Sequence, residues 1–241
     1  HDGTIHKAGD LEFGVDGMLY WSVGDGNIGN VAGFDTSQVL DDLRGKILRF
    51  DVDAPFPHVP ADNPFVGVAG ANELVYAYGL RNPFRFGIDP VSGDLYTGDV
   101  GAGGFEEVNR IPAMDGGLNF GWRCREGLDC TASPSCSCPS ISLTDPIAVL
   151  MHEPTSLISA VAGGTFVRNT DIPGLENSYI FADYCSGRAY SILDPAGAAI
   201  LQRLNPGFVD GNGQPIRFVV DFAQAPDGTI YFVQQTGGRV W

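Results

Sequence analysis

The chain has 241 residues, of which 33 are glycine and 16 are proline, and only 18% are charged. Its formal net charge of −15 argues against binding to nucleic acid or anionic membranes, since both partners require cationic patches. No apolar run approaches the roughly 20 residues that span a bilayer, so we predict no membrane insertion. Many short strands joined by tight turns would give this composition, and the length is enough for one large all-β domain.

Four hairpin signals recur along the chain, each a tight turn followed by apolar residues in alternation. These turns lie at Asp16-Gly17, Ser92-Gly93, Glu176-Asn177 and Asp227-Gly228. Helical periodicity is scarce, and its best example, residues 37–43, predicts a turn or two at most. Four such hairpin units predict about four antiparallel sheets.

Four of the five cysteines fall between positions 124 and 138. A zinc site is one interpretation, but the spacing lacks the paired C-x2-C motifs of structural zinc sites. Disulfides are favoured, because a long loop without helix or strand pattern gains stability from crosslinking. We therefore predict a disulfide-linked loop at about residues 124–146, with the pairing left open. Cys185 is expected to be a buried free thiol in a strand, or alternatively a partner of this loop.

Several motifs follow one another in a characteristic order. They are LRGKILRFD at 43–51, YGLRNP at 78–83, GDVG at 98–101, FEEVN at 105–109 and GGLNFGW at 116–122. In order and spacing they resemble the glucose/sorbosone dehydrogenase family of soluble sugar dehydrogenases that use pyrroloquinoline quinone (PQQ). Residues 122–127, 163–168 and 179–188 are most similar to its Hedgehog-interacting-protein-like branch, which also contains binding proteins.

The resemblance implies an all-β fold of six-bladed β-propeller architecture with four-stranded antiparallel blades. Four hairpin units would cover about four of those blades. We expect residues 1–241 to form a single, partial propeller domain and to belong to a longer protein, since missing blades would expose sheet edges. An independently closed four-bladed ring is the alternative.

The candidate catalytic residues are His6 and Arg81. His6 immediately precedes a predicted strand, and a neutral imidazole can accept a proton near pH 7. The resemblance gives His6 the role of the base and makes Arg81 and Asn82 contacts of the quinone. The alternatives are that His6 and Arg81 are ordinary surface residues and that Asn82 simply starts a turn.

Further positions are assigned by resemblance. Arg168 and Arg188 would reach the cofactor. The carbonyls of Gly101 and Ala102 would bind the calcium that bridges to PQQ. Glu107 would serve a second, structural calcium, the alternative being an exposed acidic pair formed by Glu106 and Glu107.

Other residue types near these motifs are expected to have plainer roles. Asp25, Asp35 and Asp41 form an acidic loop region whose spacing fits no defined cage, which predicts solvated surface. Trp122 and Tyr184 are expected to pack inside blades, and His152 to be structural.

Two functions from different classes fit the sequence. The first is a secreted, PQQ- and calcium-dependent dehydrogenase that oxidises an aldose or pyranose sugar and passes electrons to an external acceptor. The second is an extracellular, non-catalytic propeller that binds a protein or glycan partner. A propeller lactonase fits less well, because calcium in those enzymes is held mainly by side chains.

Overall fold

The computed structural model describes residues 4–27, 35–132, 138, 142–152, 160–205 and 207–241. Within these ranges every regular element is a β-strand, which confirms the all-β prediction. No helix in this part of the chain is therefore long and apolar enough to cross a membrane. The segment predicted as a turn or two, residues 37–43, lies in a region of turns.

The strands form four antiparallel sheets and one short ribbon. The first sheet contains β1 (Ala8–Phe13), β2 (Leu19–Val23), β3 (Lys46–Phe50) and β4 (Val75–Tyr78). The second has the order β5 (Pro83–Ile88), β6 (Leu95–Asp99), β7 (Phe105–Ile111) and β10 (Ala148–Met151). Between β7 and β10 the chain forms the ribbon of β8 (Arg125–Glu126) and β9 (Asp129–Cys130).

The third sheet contains β11 (Val161–Val167), β12 (Ser178–Asp183), β13 (Ala189–Leu193) and β14 (Ile200–Arg203). The fourth consists of β15 (Val219–Gln224), β16 (Ile230–Gln234) and β17 (Arg239–Val240). All four predicted turns join the first strand of a sheet to its second. Gly17, Gly93 and Gly228 in these turns have positive φ, which glycine adopts at little cost.

The first strands of successive sheets contact one another in the order β1, β5, β11, β15, so the sheets stand side by side like propeller blades. At their amino ends, Ala8 N–H donates to Asn82 Oδ1 at 3.2 Å. At their carboxyl ends, Arg168 N–H donates to Gln224 Oε1 at 2.9 Å. We call these two ends the amino face and the carboxyl face.

The second and third blades pack through aromatic side chains and glycines. Tyr96 lies 5.3 Å from Phe166 and 5.4 Å from Tyr179, measured between ring centroids. A Cβ at Gly98 would lie 2.7 Å from backbone atoms of Gly163, so the blades approach too closely there for a side chain. Buried rings of this size each contribute about 2 kcal/mol to stability.

The cysteine prediction is confirmed in its main part. Cys130 and Cys138 form a disulfide, and Cys124 is disulfide-bonded as well. Cys185 is a free thiol, as expected, but its predicted position in a strand is wrong. It lies half-buried in the turn after β12, because Asp183 Oδ1 accepts the Ser186 N–H at 2.6 Å and ends the strand.

Candidate functional site

His6 lies on the amino face, just before β1, and its side chain is almost entirely buried. Its Nδ1 is 2.7 Å from Oδ1 of Asp25, which follows β2. His6 adopts a positive φ of 53°, an unusual conformation for a residue with a side chain. Because an ionised carboxylate can only accept, this contact places a proton on Nδ1, and in the neutral imidazole Nε2 is then the acceptor.

Asp25 is only 2% exposed, so its prediction as solvated surface is wrong. It accepts three donors: His6, the Asn27 N–H at 2.7 Å and Trp122 Nε1 at 2.9 Å. Burial alone would raise the pKa of Asp25, but these hydrogen bonds hold the pKa below its usual value. The group is therefore a buried, ionised orienting partner for the imidazole.

Arg81 and Asn82 lie between β4 and β5, beside His6. Asp99 anchors both backbones, accepting the Arg81 N–H at 2.9 Å and the Asn82 N–H at 2.6 Å. The Arg81 guanidinium donates to Val100 O at 2.8 Å and lies 5.4 Å from the Trp122 ring centroid. The structure thus brings His6, Arg81 and Asn82 together on the amino face.

Trp122 contributes to the site more directly than the sequence suggested. Its indole N–H donates to Asp25 while its ring faces the Arg81 guanidinium, so one side chain links Arg81 to the carboxylate that binds His6. Gln38 fixes the backbone of this tryptophan, because its side-chain amide donates to the Trp122 carbonyl at 2.8 Å.

The glycine-rich loop after β6 has its N–H groups turned toward Glu126. Oε1 of this carboxylate accepts four consecutive N–H groups, from Ala102 at 2.8 Å to Phe105 at 3.2 Å. Burial would raise the pKa of Glu126, but these donors lower it. In the described part of the chain, no group donates to the carbonyls of Gly101 or Ala102.

The carboxyls of Asp99, Glu106 and Glu107 on this face are buried as well. The idea that Glu106 and Glu107 form an exposed acidic pair is therefore wrong. Burial raises the pKa of Glu107 to about 7, and burial together with the Glu107 charge raises that of Asp99 well above its usual value. These two residues are cross-strand partners, so the charge of one disfavours ionisation of the other.

Glu106 binds His152, whose Nε2 lies 2.6 Å from Oε1. The other oxygen accepts the Val161 N–H at 2.9 Å, which links the second blade to the third. Burial raises the pKa of Glu106 despite these partners. His152 therefore has a well-defined structural contact, as expected.

Calcium would have to rely on backbone oxygens here. Among the described residues, no group of three His, Cys, Asp or Glu side chains could hold a metal ion. Glu107 already accepts the Gly127 N–H at 2.6 Å and the Asn109 amide at 3.2 Å. The carbonyls of Gly101 and Ala102 suit calcium, which accepts backbone oxygens readily.

Arg168 lies on the carboxyl face, at the far end of β11 from the amino-face residues. Its guanidinium forms an ion pair with Asp89, with Nη2 2.6 Å from Oδ2. A seven-residue strand spans roughly 20 Å, so Arg168 cannot contact a cofactor bound beside His6. Its predicted cofactor contact is a wrong assignment. Arg188, half-buried at the start of β13, is on the amino face.

A cavity of about 300 Å³ opens on the amino face among the second, third and fourth blades. Asn82 and Val100 line one side, while Val161, Tyr184, Val220 and Gln235 line others. Since Val100 also receives the Arg81 guanidinium, the cavity adjoins the candidate catalytic residues. Tyr184, expected to pack inside a blade, contributes to this cavity instead.

A family model described as "Glucose / Sorbosone dehydrogenase" matches residues 1–241. The chain belongs to this family. The HIPL1 protein of Arabidopsis thaliana is 29% identical over 270 residues, which cover 97% of the chain and 38% of that relative. The aldose sugar dehydrogenase YliI of Escherichia coli is 35% identical over 117 residues, covering 48% of the chain and 29% of the relative. The chain thus spans well under half the length of these curated relatives.

Solved structures agree with this fold. The PQQ-bound aldose sugar dehydrogenase from Streptomyces coelicolor matches with a TM-score of 0.70 and 24% identity, over 99% of this chain and 61% of that one. At this identity the likeness establishes the fold alone. It confirms the propeller architecture, whereas the number of blades in the complete ring stays a prediction.

Proposed function

We propose that this protein is a PQQ- and calcium-dependent dehydrogenase that oxidises an aldose or pyranose sugar. The observation that carries the proposal is the continuous set of contacts from His6 through Asp25 and Trp122 to Arg81, beside the amino-face cavity. A propeller used only for docking has no need of an imidazole oriented by a buried carboxylate. Membership of a sugar dehydrogenase family supports the substrate class.

His6 is the base in this proposal. Its Nε2 accepts the proton of a sugar hydroxyl, while the carbon that carries this hydroxyl loses its hydrogen as hydride. Asp25 stabilises the imidazolium that forms, because its carboxylate stays ionised within 2.7 Å of Nδ1. The buried position of Asp25 strengthens this interaction, since little water screens the charges.

The hydrogen-bond donors at this site fit a quinone that carries carboxylate groups. Arg81 directs one guanidinium N–H to Val100 and is half-buried, so its remaining donors can bind carboxylate or quinone oxygens. Asn82 and Arg188 complete the candidate cofactor contacts. When bound, PQQ supplies the hydride acceptor, and an external electron acceptor reoxidises it.

Calcium in this proposal binds at the carbonyls of Gly101 and Ala102, next to the Arg81–Val100 contact. The cation offsets the charge of the buried acidic groups on this face and of the cofactor's own carboxylates. A second calcium at Glu107 has weaker support, because both oxygens of that side chain already accept hydrogen bonds.

Reconstitution tests the proposal. The purified protein with PQQ and Ca²⁺ should reduce a dye in the presence of at least one aldose. His6→Gln should lower turnover by about 10²- to 10⁴-fold with PQQ affinity nearly unchanged, as expected for loss of a general base. His58→Gln is the matched control, since His58 contacts Ala54 O away from the site. PQQ binding without turnover on a broad sugar panel would reject the dehydrogenase.

The alternative is an extracellular propeller that binds a protein or glycan without redox chemistry. The disulfide-linked ribbon and the similarity to the Hedgehog-interacting-protein-like branch favour it. Disulfides also support a secreted location for either function. Absence of PQQ binding in calorimetry, with Ca²⁺ present, would favour this alternative.

A further inference from the structure

Glu126 organises the glycine-rich loop from outside the site. One oxygen of its carboxylate accepts the N–H groups of Ala102, Gly103, Gly104 and Phe105, at 2.8, 2.9, 3.0 and 3.2 Å. Four consecutive donors converging on one anion form a concave nest, a conformation that glycine residues make accessible. Without the anion, these dipoles would repel one another.

The ribbon that carries Glu126 is fixed in place by independent contacts. Strand β8 pairs with β9, and Cys130 of β9 is bonded to Cys138. The next residue, Gly127, donates to Glu107 Oε1 at 2.6 Å and packs against the Phe105 ring. The carboxylate is thus delivered by a crosslinked element rather than by a free side chain on the loop itself.

This nest determines how the loop presents its carbonyls. With the N–H groups of residues 102–105 directed at Glu126, the carbonyls of Gly101 and Ala102 have no donor among the described residues. The preceding carbonyl, Val100 O, already receives the Arg81 guanidinium. The carbonyl that binds Arg81 is therefore followed directly by the two carbonyls proposed to bind the cation.

We propose that Glu126 is a positioning residue for the cation loop: by binding the N–H groups of residues 102–105, it preorganises the carbonyls of Gly101 and Ala102 to bind Ca²⁺. This inference rests on the proposed function for the identity of the cation. It assigns to the disulfide-linked ribbon a specific task, which is to hold one carboxylate against a loop of the neighbouring site.

Three variants test this role in the full protein. Glu126→Ala removes the anion, and Glu126→Gln retains one acceptor oxygen without the charge. Glu176→Ala is the matched control, because Glu176 accepts the Asn169 and Thr170 N–H groups at 3.1 and 3.0 Å on the carboxyl face. Amide hydrogen exchange of residues 102–105 reports on the nest without any ligand. Calorimetric titration with Ca²⁺, with and without PQQ, reports on the cation.

Glu126→Ala should accelerate exchange of these amides and weaken Ca²⁺ binding, each by at least about tenfold, as expected for loss of hydrogen bonds to a charged group. Glu126→Gln should lie between Glu126→Ala and the wild type in both measurements. Glu176→Ala should match the wild type in both.

Two results would overturn the inference in different ways. If the wild type binds Ca²⁺ and Glu126→Ala binds it equally well, Glu126 has no positioning role, although the proposed function stands. If the wild type itself binds no Ca²⁺, the cation assignment fails and the inference fails with it, even when exchange at residues 102–105 still depends on Glu126.

Discussion

Asp25→Asn is the substitution that most directly tests the His6 arrangement. The carboxylate uses Oδ1 for His6 and the Asn27 N–H, and Oδ2 for Trp122 Nε1. A carboxamide has one oxygen and one NH₂ group, so it cannot accept on both sides. With its oxygen toward His6, the NH₂ opposes the indole N–H. With its oxygen toward Trp122, the NH₂ faces Nδ1 and drives the imidazole proton onto Nε2.

Both orientations have a predictable cost. At least one hydrogen bond to a buried charge is lost, which should lower the free energy of unfolding by about 2 to 3 kcal/mol. In the second orientation Nε2 carries the proton and cannot act as a base. Sugar oxidation should then fall by about 10²- to 10⁴-fold, the usual contribution of a general base.

The measurements are chemical unfolding, dye-linked turnover and ¹⁵N NMR of the imidazole, with His6→Gln to assign the signal. The NMR spectrum reads the tautomer directly and does not depend on a bound cofactor. Asp41→Asn is the control, because Asp41 is exposed in the same acidic region of the sequence. An Asp25→Asn protein with unchanged stability and an Nδ1-protonated His6 would refute the proposed role of Asp25.

Three further substitutions test how the blades are held together. Burial alone would raise the pKa of Asp89, but Arg168 and nearby hydrogen bonds lower it. Asp89→Asn should therefore cost about 1 to 3 kcal/mol in urea unfolding at pH 7, and the difference from the wild type should begin to shrink below about pH 4 and vanish only below the lowered pKa of the folded protein. Lys46 is fully buried and donates to three backbone carbonyls, so Lys46→Met should cost about 3 kcal/mol in the same assay. Gly98→Ala would force a Cβ against the backbone of the third blade and should lower the melting temperature, whereas Gly211→Ala, with open space around it, should not.

Local patterns in the sequence are sufficient to predict the hairpins and the position of His6 at the end of a strand. Each turn signal depends on residues next to one another, as at Asp16-Gly17, so no tertiary information is needed. The convergence of His6 with Arg81 required more, because it depends on how the first and second blades stand beside each other. That arrangement was accessible only through the family resemblance.

The errors in the sequence-based site share a physical cause. Asp25 was grouped with Asp35 and Asp41 by proximity in sequence, but its partners His6 and Trp122 lie 19 and 97 residues away. Arg168 was assigned to the cofactor by its neighbours in the motif. Strand direction would have corrected that assignment, since Arg168 follows the first strand of its blade whereas His6 precedes the first strand of its own.

Charge balance explains why the cation matters so much to the proposed chemistry. The amino face buries Asp25, Asp99, Glu106, Glu107 and Asp183, whereas Arg81 and Arg188 bring two half-buried guanidinium groups to the same face. A cofactor with three carboxylates would meet a negative potential there unless a cation or protons offset it. The raised pKa values of Asp99 and Glu107 reduce that negative charge near neutral pH. The carbonyls that Glu126 orients would let a divalent cation supply the rest, so binding of the quinone should depend on Ca²⁺ more steeply as the pH rises above 7.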